Sequence, residues 1–345
     1  MADTNNPEKK HLESPHRSRD AGLLFAVVLF ILSLCLLFFH WYKDDNRAVR
    51  LPTNHLHVPP ELMTYQQISV FTCPIAGEPT CFAVWENRFI IGTDEPPVLW
   101  FFDENGTLLQ KIDLPEEPRA IACGTPETIF TDKIVVAHLH QIAVYTADGI
   151  LDTSWSLPDE ASNIRSLALT PTSLFTADTG QRCIHRFNVD GNLDLTFGDF
   201  IVYASPMMMT YSFKDDLLYI ANPGMHRVEV FTQDGESQPE RSWGTPSIDY
   251  EGFAGCCNPI GLAVLDDGRI LTVEKGISRV KIFRTGGALD CFVAGSSILD
   301  ALPPGAMRRA PLKPDRYFAA VVLSEGHIAV FDFEYAAVRI FAPIP

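Results

Sequence analysis

The sequence predicts an all-β ring: a six-bladed β-propeller of four-stranded blades, closed by an N-terminal strand and preceded by one N-terminal transmembrane helix. Three observations carry this. Leu174 to Gly198 reads as strand, polar turn, strand, Asp-Gly turn, strand, and the pattern recurs along the chain. The last copy stops after three strands, while Tyr65 to Phe71 is an orphan strand with alternating apolar residues. Ala21 to Phe39 is a run of nineteen uncharged residues.

The elements follow in order. Residues 1–20 are polar, with four acidic and four basic side chains and two prolines, and predict a disordered tail. Nineteen apolar residues at about 1.5 Å each span about 28 Å, close to the hydrocarbon thickness of a bilayer. With His40, Trp41 and Tyr42 as an interfacial belt, residues 21–42 predict a membrane helix. The run is too long for a signal-peptide core, and small residues before a cleavage point are missing. Lys9, Lys10, Arg17 and Arg19 precede it, and Lys43, Arg47 and Arg50 follow, diluted by Asp44 and Asp45. That bias predicts a cytoplasmic N-terminus and an extracytoplasmic propeller, periplasmic in a bacterium. Residues 43–64, with three prolines, form a tether, and residues 65–345 form the propeller.

The copies run Cys81 to Leu114, Ala120 to Leu157, Ile164 to Gly198, Met208 to Gly244, Ile260 to Gly295 and Tyr317 to Pro345. No single copy can bury its own faces. A ring in which Tyr65 to Phe71 supplies the missing outer strand of the last copy leaves no open sheet edge. The segments ADTGQRCIHRF (from Ala177), ANPGMHRVEVFTQDG (from Ala221) and EKGISRVKIF (from Glu274) resemble NHL repeats. The family pattern is a small residue, Asp or Asn, Gly, His-Arg and an alternating strand. Gly255 to Pro259, with the later Glu274-Lys275-Gly276, also resembles exported bacterial propellers of the NHL type. The resemblance implies a β-propeller and no particular chemistry, because the fold carries scaffolds, binders and enzymes alike.

Charge and composition narrow the function. A net charge of −16 without a basic stripe argues against nucleic acid. No GxSxG, HExxH, phosphate loop or dinucleotide fingerprint occurs. In a propeller, the loop between second and third strands shares a face with the loop leading into the next blade, around the mouth of the central channel. Thr93, Val136, Asp178, Asn222, Glu274 and Asp332 start the first loop set in register, with His226 and Lys275 beside them. Asp178, Asn222, Glu274 and Asp332 could serve as oxygen ligands for calcium or another divalent cation, but their recurrence at the same turn favours turn residues bonded to local backbone.

The eight cysteines include no CxxC. Cys73 and Cys81 flank a short loop that a disulfide could close in an oxidising compartment. Cys256 and Cys257 are adjacent and suit a vicinal disulfide, a soft-metal site or a redox pair, or one of them a bridge to Cys291. The leading expectation is a membrane-tethered binding or scaffold propeller for a protein, peptide or glycan. The alternatives are a metal-dependent hydrolase or lyase at the channel mouth, as in lactonase- and lyase-like propellers, and a redox domain using Cys256 and Cys257.

Overall fold

Short apolar runs interrupted by Asp-Gly, Asn-Gly and similar turns favour antiparallel hairpins, and hairpins are what the chain forms. The computed structural model describes residues 27–34, 57–157, 159–203, 206–306 and 317–345. Contacts divide the chain into Met1–Pro52 and Thr53–Pro345. In the first unit, residues 27–34 are helical and exposed. The predicted tail, the rest of the predicted membrane helix and most of the tether lie outside the described residues. Among the described residues no helix is long and apolar enough to cross a membrane.

In the second unit 23 described strands form six antiparallel sheets. The first blade comprises Pro79–Trp85, Arg88–Thr93, Val98–Phe102 and Leu108–Asp113, hydrogen-bonded in chain order. The second, third and fifth, spanning 120–156, 164–197 and 261–294, repeat this order. The fourth has three strands, Met209–Ser212, Leu217–Asn222 and Arg227–Thr232. Its outer edge is met by isolated bridges from Ser237 and Trp243 and by the Gln238 N–H donating to Val230 O at 2.7 Å, and Pro239, between them, lacks the N–H a continuous ladder needs. The sixth consists of Phe318–Val322, Ile328–Asp332 and Ala337–Pro343, and Tyr65–Thr72 supplies its outer strand as predicted. Register runs from Tyr65 opposite Pro343 to Thr72 opposite Ala337.

The core lies between blades rather than within them. Ile134 and Val136 pack towards blade one, whereas Val135 and Ala137 pack towards blade three. Alternation along a strand buried on both faces produces this division and explains its unbroken apolar sequence. Six such clusters fill the six seams. The seam between blades six and one joins Phe331 and Ala329 to Phe89 and Phe102, with Phe82 stacked on Phe331 at 4.7 Å between ring centroids.

Neither a Cys73–Cys81 bridge nor a bridge from Cys256 or Cys257 to Cys291 is present. None of the described cysteines is joined in a disulfide. Cys73 packs in the six–one seam and Cys81 in the one–two seam, so the two side chains serve different cores. Cys291 is buried in the five–six seam. Phe331→Ala should cost about 3–5 kcal/mol by urea unfolding, because it empties the seam that joins the two ends of the ring.

Candidate ligand-binding channel

The first strand of each blade touches the first strands of both neighbours. These six strands enclose a channel of about 800 Å³, and Ala83, Ile121, Leu167, Met209, Leu262 and Ala320 give it an apolar wall. Polar groups gather where the blade-linking loops meet the inner strands: Glu78, Glu117, Arg119, Asn163, Arg165 and Glu334, with the aromatic rings of Tyr203 and Tyr317.

The two arginines are placed by backbone geometry. Arg119 precedes the inner strand Ala120–Cys123, and its N–H donates to Ala137 O at 2.7 Å. Its Nη1 donates to Asn163 Oδ1 at 2.8 Å, and Nη2 lies 3.6 Å from Glu117 Oε2. Arg165 is the extra residue of a β-bulge: Ile164 faces Asp178 and Ser166 faces Ala177, leaving Arg165 unpaired between them. A bulge re-aims a side chain, and here it brings Arg165 to the channel lining. Among the described residues its guanidinium has no hydrogen bond and no ion pair. Burial, and then the charge of Arg119, push its pKa below the ordinary arginine value, with Glu117 opposing; arginine stays charged regardless.

The residues singled out in the sequence lie elsewhere. Asp178, Asn222, Glu274, Lys275, His226 and Asp332 are absent from the channel lining, although their neighbours Thr179, Phe333 and Glu334 line it. Asp178 Oδ1 accepts from the N–H groups of Asn163, Gly180 and Gln181 at 2.9–3.0 Å, and His185 Nε2 lies 3.3 Å from Oδ2. Asn222 Oδ1 accepts from the Ile201 N–H at 3.1 Å. Glu274 Oε2 accepts from the Ala254 N–H at 2.7 Å, and Oε1 lies 2.6 Å from Lys281 Nζ. Asp332 Oδ1 accepts from the Glu334 N–H at 3.0 Å. These side chains staple strand ends to loops. The position equivalent to Asp178 in blade two is Ala137, opposite Ile142, rather than Val136, which faces the other seam. His226 sits in a left-handed turn at φ +53°, and Lys275 Nζ lies 5.1 Å over the Tyr317 ring. Among the described residues no three His, Cys, Asp or Glu side chains come together to hold a metal ion.

Arg119 and Arg165 were not singled out in the sequence. An arginine at the start of an inner strand resembles a solvated strand end, and a one-residue bulge has no sequence signature. The available signal was Arg165 directly before Ser166 and Leu167, in the strand set that must line the channel.

No protein-family model matches this chain, and no curated protein is similar to it in sequence. Solved structures share the fold. Selenomethionine-substituted virginiamycin B lyase from Staphylococcus aureus is 14% identical with a TM-score of 0.52, over 77% of this chain and 81% of that one. A protein of unknown function from Bacteroides thetaiotaomicron is 16% identical with a TM-score of 0.54, over 81% and 72%. A streptogramin B lyase is 12% identical with a TM-score of 0.54, over 83% of this chain and all of that one. At these identities the likeness shows a six-bladed propeller and nothing finer. Another of the solved structures is a catalytically inactive histidine-to-alanine variant of the S. aureus lyase with quinupristin. None of the described residues lining the present channel is a histidine.

Burial opposes ionisation of Asp178, but the bonds from His185 and the loop N–H groups outweigh it and hold its carboxyl at about 2. Its folded pKa lies below the ordinary 3.8, so the stabilisation is complete above that value and is lost as pH falls towards about 2. Asp178→Asn should therefore cost roughly 2 kcal/mol at pH 7, and the gap to wild type in urea unfolding should narrow at pH 3.

Proposed function

We propose that this chain is a membrane-tethered binding propeller that admits the anionic part of a protein, peptide or glycan ligand to its central channel. The unpartnered guanidinium of Arg165 carries this reading. An unpaired charge in a half-buried wall costs free energy in the empty protein, and an incoming carboxylate would remove that cost through a charge-assisted, bidentate pair. Arg119, half-satisfied by Asn163, adds a second fork, and its Nε is buried without a hydrogen-bond partner. Tyr203, 74% exposed at the mouth, offers an aromatic face to the rest of the ligand. The fit is to one anionic group on an otherwise apolar body, since the wall beyond the mouth is hydrophobic.

Kinship to NHL repeats belongs to the same proposal and rests on the quoted repeat residues. A lyase or hydrolase reading has the shared fold behind it. The two arginine forks in the described channel, Arg119 and Arg165, favour recognition of an anionic group. Membrane attachment rests on the uncharged run Ala21 to Phe39 and its aromatic flank.

Two experiments follow. Arrayed short peptides with free or amidated C-termini, and oligosaccharides with or without uronic acids, should show retention only of the anionic members, and Arg165→Met should abolish it. The same variant should unfold at equal denaturant, since Arg165 is half-buried and its guanidinium makes no bond within the described fold. A variant that is less stable and still retains anionic ligands would overturn the proposal. The full chain should sediment with membranes after alkaline carbonate extraction, and deletion of residues 21–39 should release it.

A further inference from the structure

The long loop leading into blade five carries chemistry that the channel does not use. Ala254 is fixed by its N–H to Glu274 Oε2 at 2.7 Å. Four residues on, Asn258 Nδ2 donates to Ala254 O at 2.5 Å and to Lys275 O at 2.9 Å, while Oδ1 accepts from the Lys275 N–H at 2.9 Å. Gly255, Cys256 and Cys257 thus form a three-residue excursion clamped at both ends. Inside it the backbone turns left-handed twice, at φ +73° for Gly255 and +63° for Cys257. The result brings the Cys256 and Cys257 Sγ atoms to 2.8 Å. That is less than about 1 Å beyond the ~2.05 Å of a disulfide bond. Cys256 is exposed and Cys257 is buried, so the first residue is open to solvent and the second is enclosed.

We infer that Cys256 and Cys257 form a thiol–disulfide exchange site whose co-substrate is a low-molecular-weight or protein disulfide. The Cys256 thiolate attacks one sulfur of that disulfide, forming a mixed disulfide and releasing one thiolate. Cys257, as thiolate, then attacks the Cys256 sulfur, closes the vicinal disulfide and releases the second thiolate. The two protons lost from the cysteines end on the two released thiols, and two electrons pass to the co-substrate. Reducing thiols reverse both steps. The other described cysteines serve as internal controls. Burial pushes Cys73, Cys81 and Cys123 up to about 12 and Cys183 up to about 11, and it raises Cys291 as well, so thiolate is scarce at all five. This inference is independent of the channel and its arginines.

The test uses the full reduced chain in detergent micelles, treated with oxidised glutathione and then digested for mass spectrometry. The expected result is loss of two hydrogens from the peptide containing Cys256 and Cys257, no lasting glutathione adduct there, and return of both thiols with dithiothreitol. Cys257→Ser should instead trap one glutathione on Cys256, and Cys256→Ser should leave Cys257 unmodified. A wild-type peptide that stays reduced, a stable adduct on wild-type Cys256, or a bridge from either residue to Cys291 would overturn the assignment.

Discussion

The ring stands or fails on the pairing of its two ends. Each seam core is shared by two blades, so a blade without a neighbour on one side exposes half of its apolar surface. Four seams join blades that are consecutive in sequence, and the five–six seam adds Tyr65 of the closing strand to two consecutive blades. The sixth needs Tyr65–Thr72 to lie against Ala337–Pro343, and it also sets Cys73 and Phe89 against Phe331 and Val338. Loop-closure entropy is greatest there, because the pairing joins opposite ends of the whole domain. Polar contact reinforces the apolar one: Arg339 Nη1 donates to Gln67 Oε1 at 3.1 Å across the closing strands. A terminal strand is well suited to this task, since it leaves neither end of the sheet open for association with another chain.

Closure positions the inner strands, and a second device positions the loops above them. At the end of the second strand in blades three, four and five, a side-chain oxygen accepts an N–H from the loop that leads into the same blade. Blade one varies the theme, with Asp94 Oδ1 accepting from the Glu78 N–H at 2.8 Å. In blade five the carboxylate also balances a buried cation. Lys281 Nζ lies 2.6 Å from Glu274 Oε1 and donates to the carbonyls of Gly252 and Tyr250. Burial lowers the Lys281 pKa while Glu274 opposes the shift. With three oxygens around it, this ammonium is satisfied, and its bonds tie down the loop that ends in the cysteine pair.

These same staples show how far the sequence could be read. The blade count, the closing strand and the boundaries of most blades follow from turn residues and alternating apolar positions, because both are local physical requirements. Asp178, Asn222 and Glu274 attracted notice because they recur. Recurrence marked a repeated backbone task, an acceptor for a loop N–H, so the register was legible while the direction of the side chains was not. The blade-four edge was missed because Pro239 interrupts a ladder whose other residues look strand-like. Arg165 was missed for the opposite reason: it occurs in one blade only, and its orientation depends on a bulge between Ile164 and Ser166 that only the pairing partner reveals. In Gly255–Pro259 the adjacent cysteines were visible in the sequence, but the 2.8 Å approach of their sulfurs arises from the Asn258 and Glu274 clamps.

Arg165 and Lys281 together show why the channel, rather than the staples, is where binding should be sought. Lys281 is fully buried and Arg165 half-buried, so both are desolvated cations, the first far more than the second. Lys281 is compensated within the fold by a carboxylate and two carbonyls. Arg165 has no such partner among the described residues, and the bulge that aims it also interrupts an otherwise regular ladder. Two local costs thus coincide at one side chain, where an apolar residue in an unbroken strand would pack better. Neither cost improves the ring, since the seam between blades two and three is already filled by Ile164 and Leu167. Blade one has the same bulge, with Thr80 between Pro79 and Cys81, so what sets blade three apart is the charged side chain that its bulge carries.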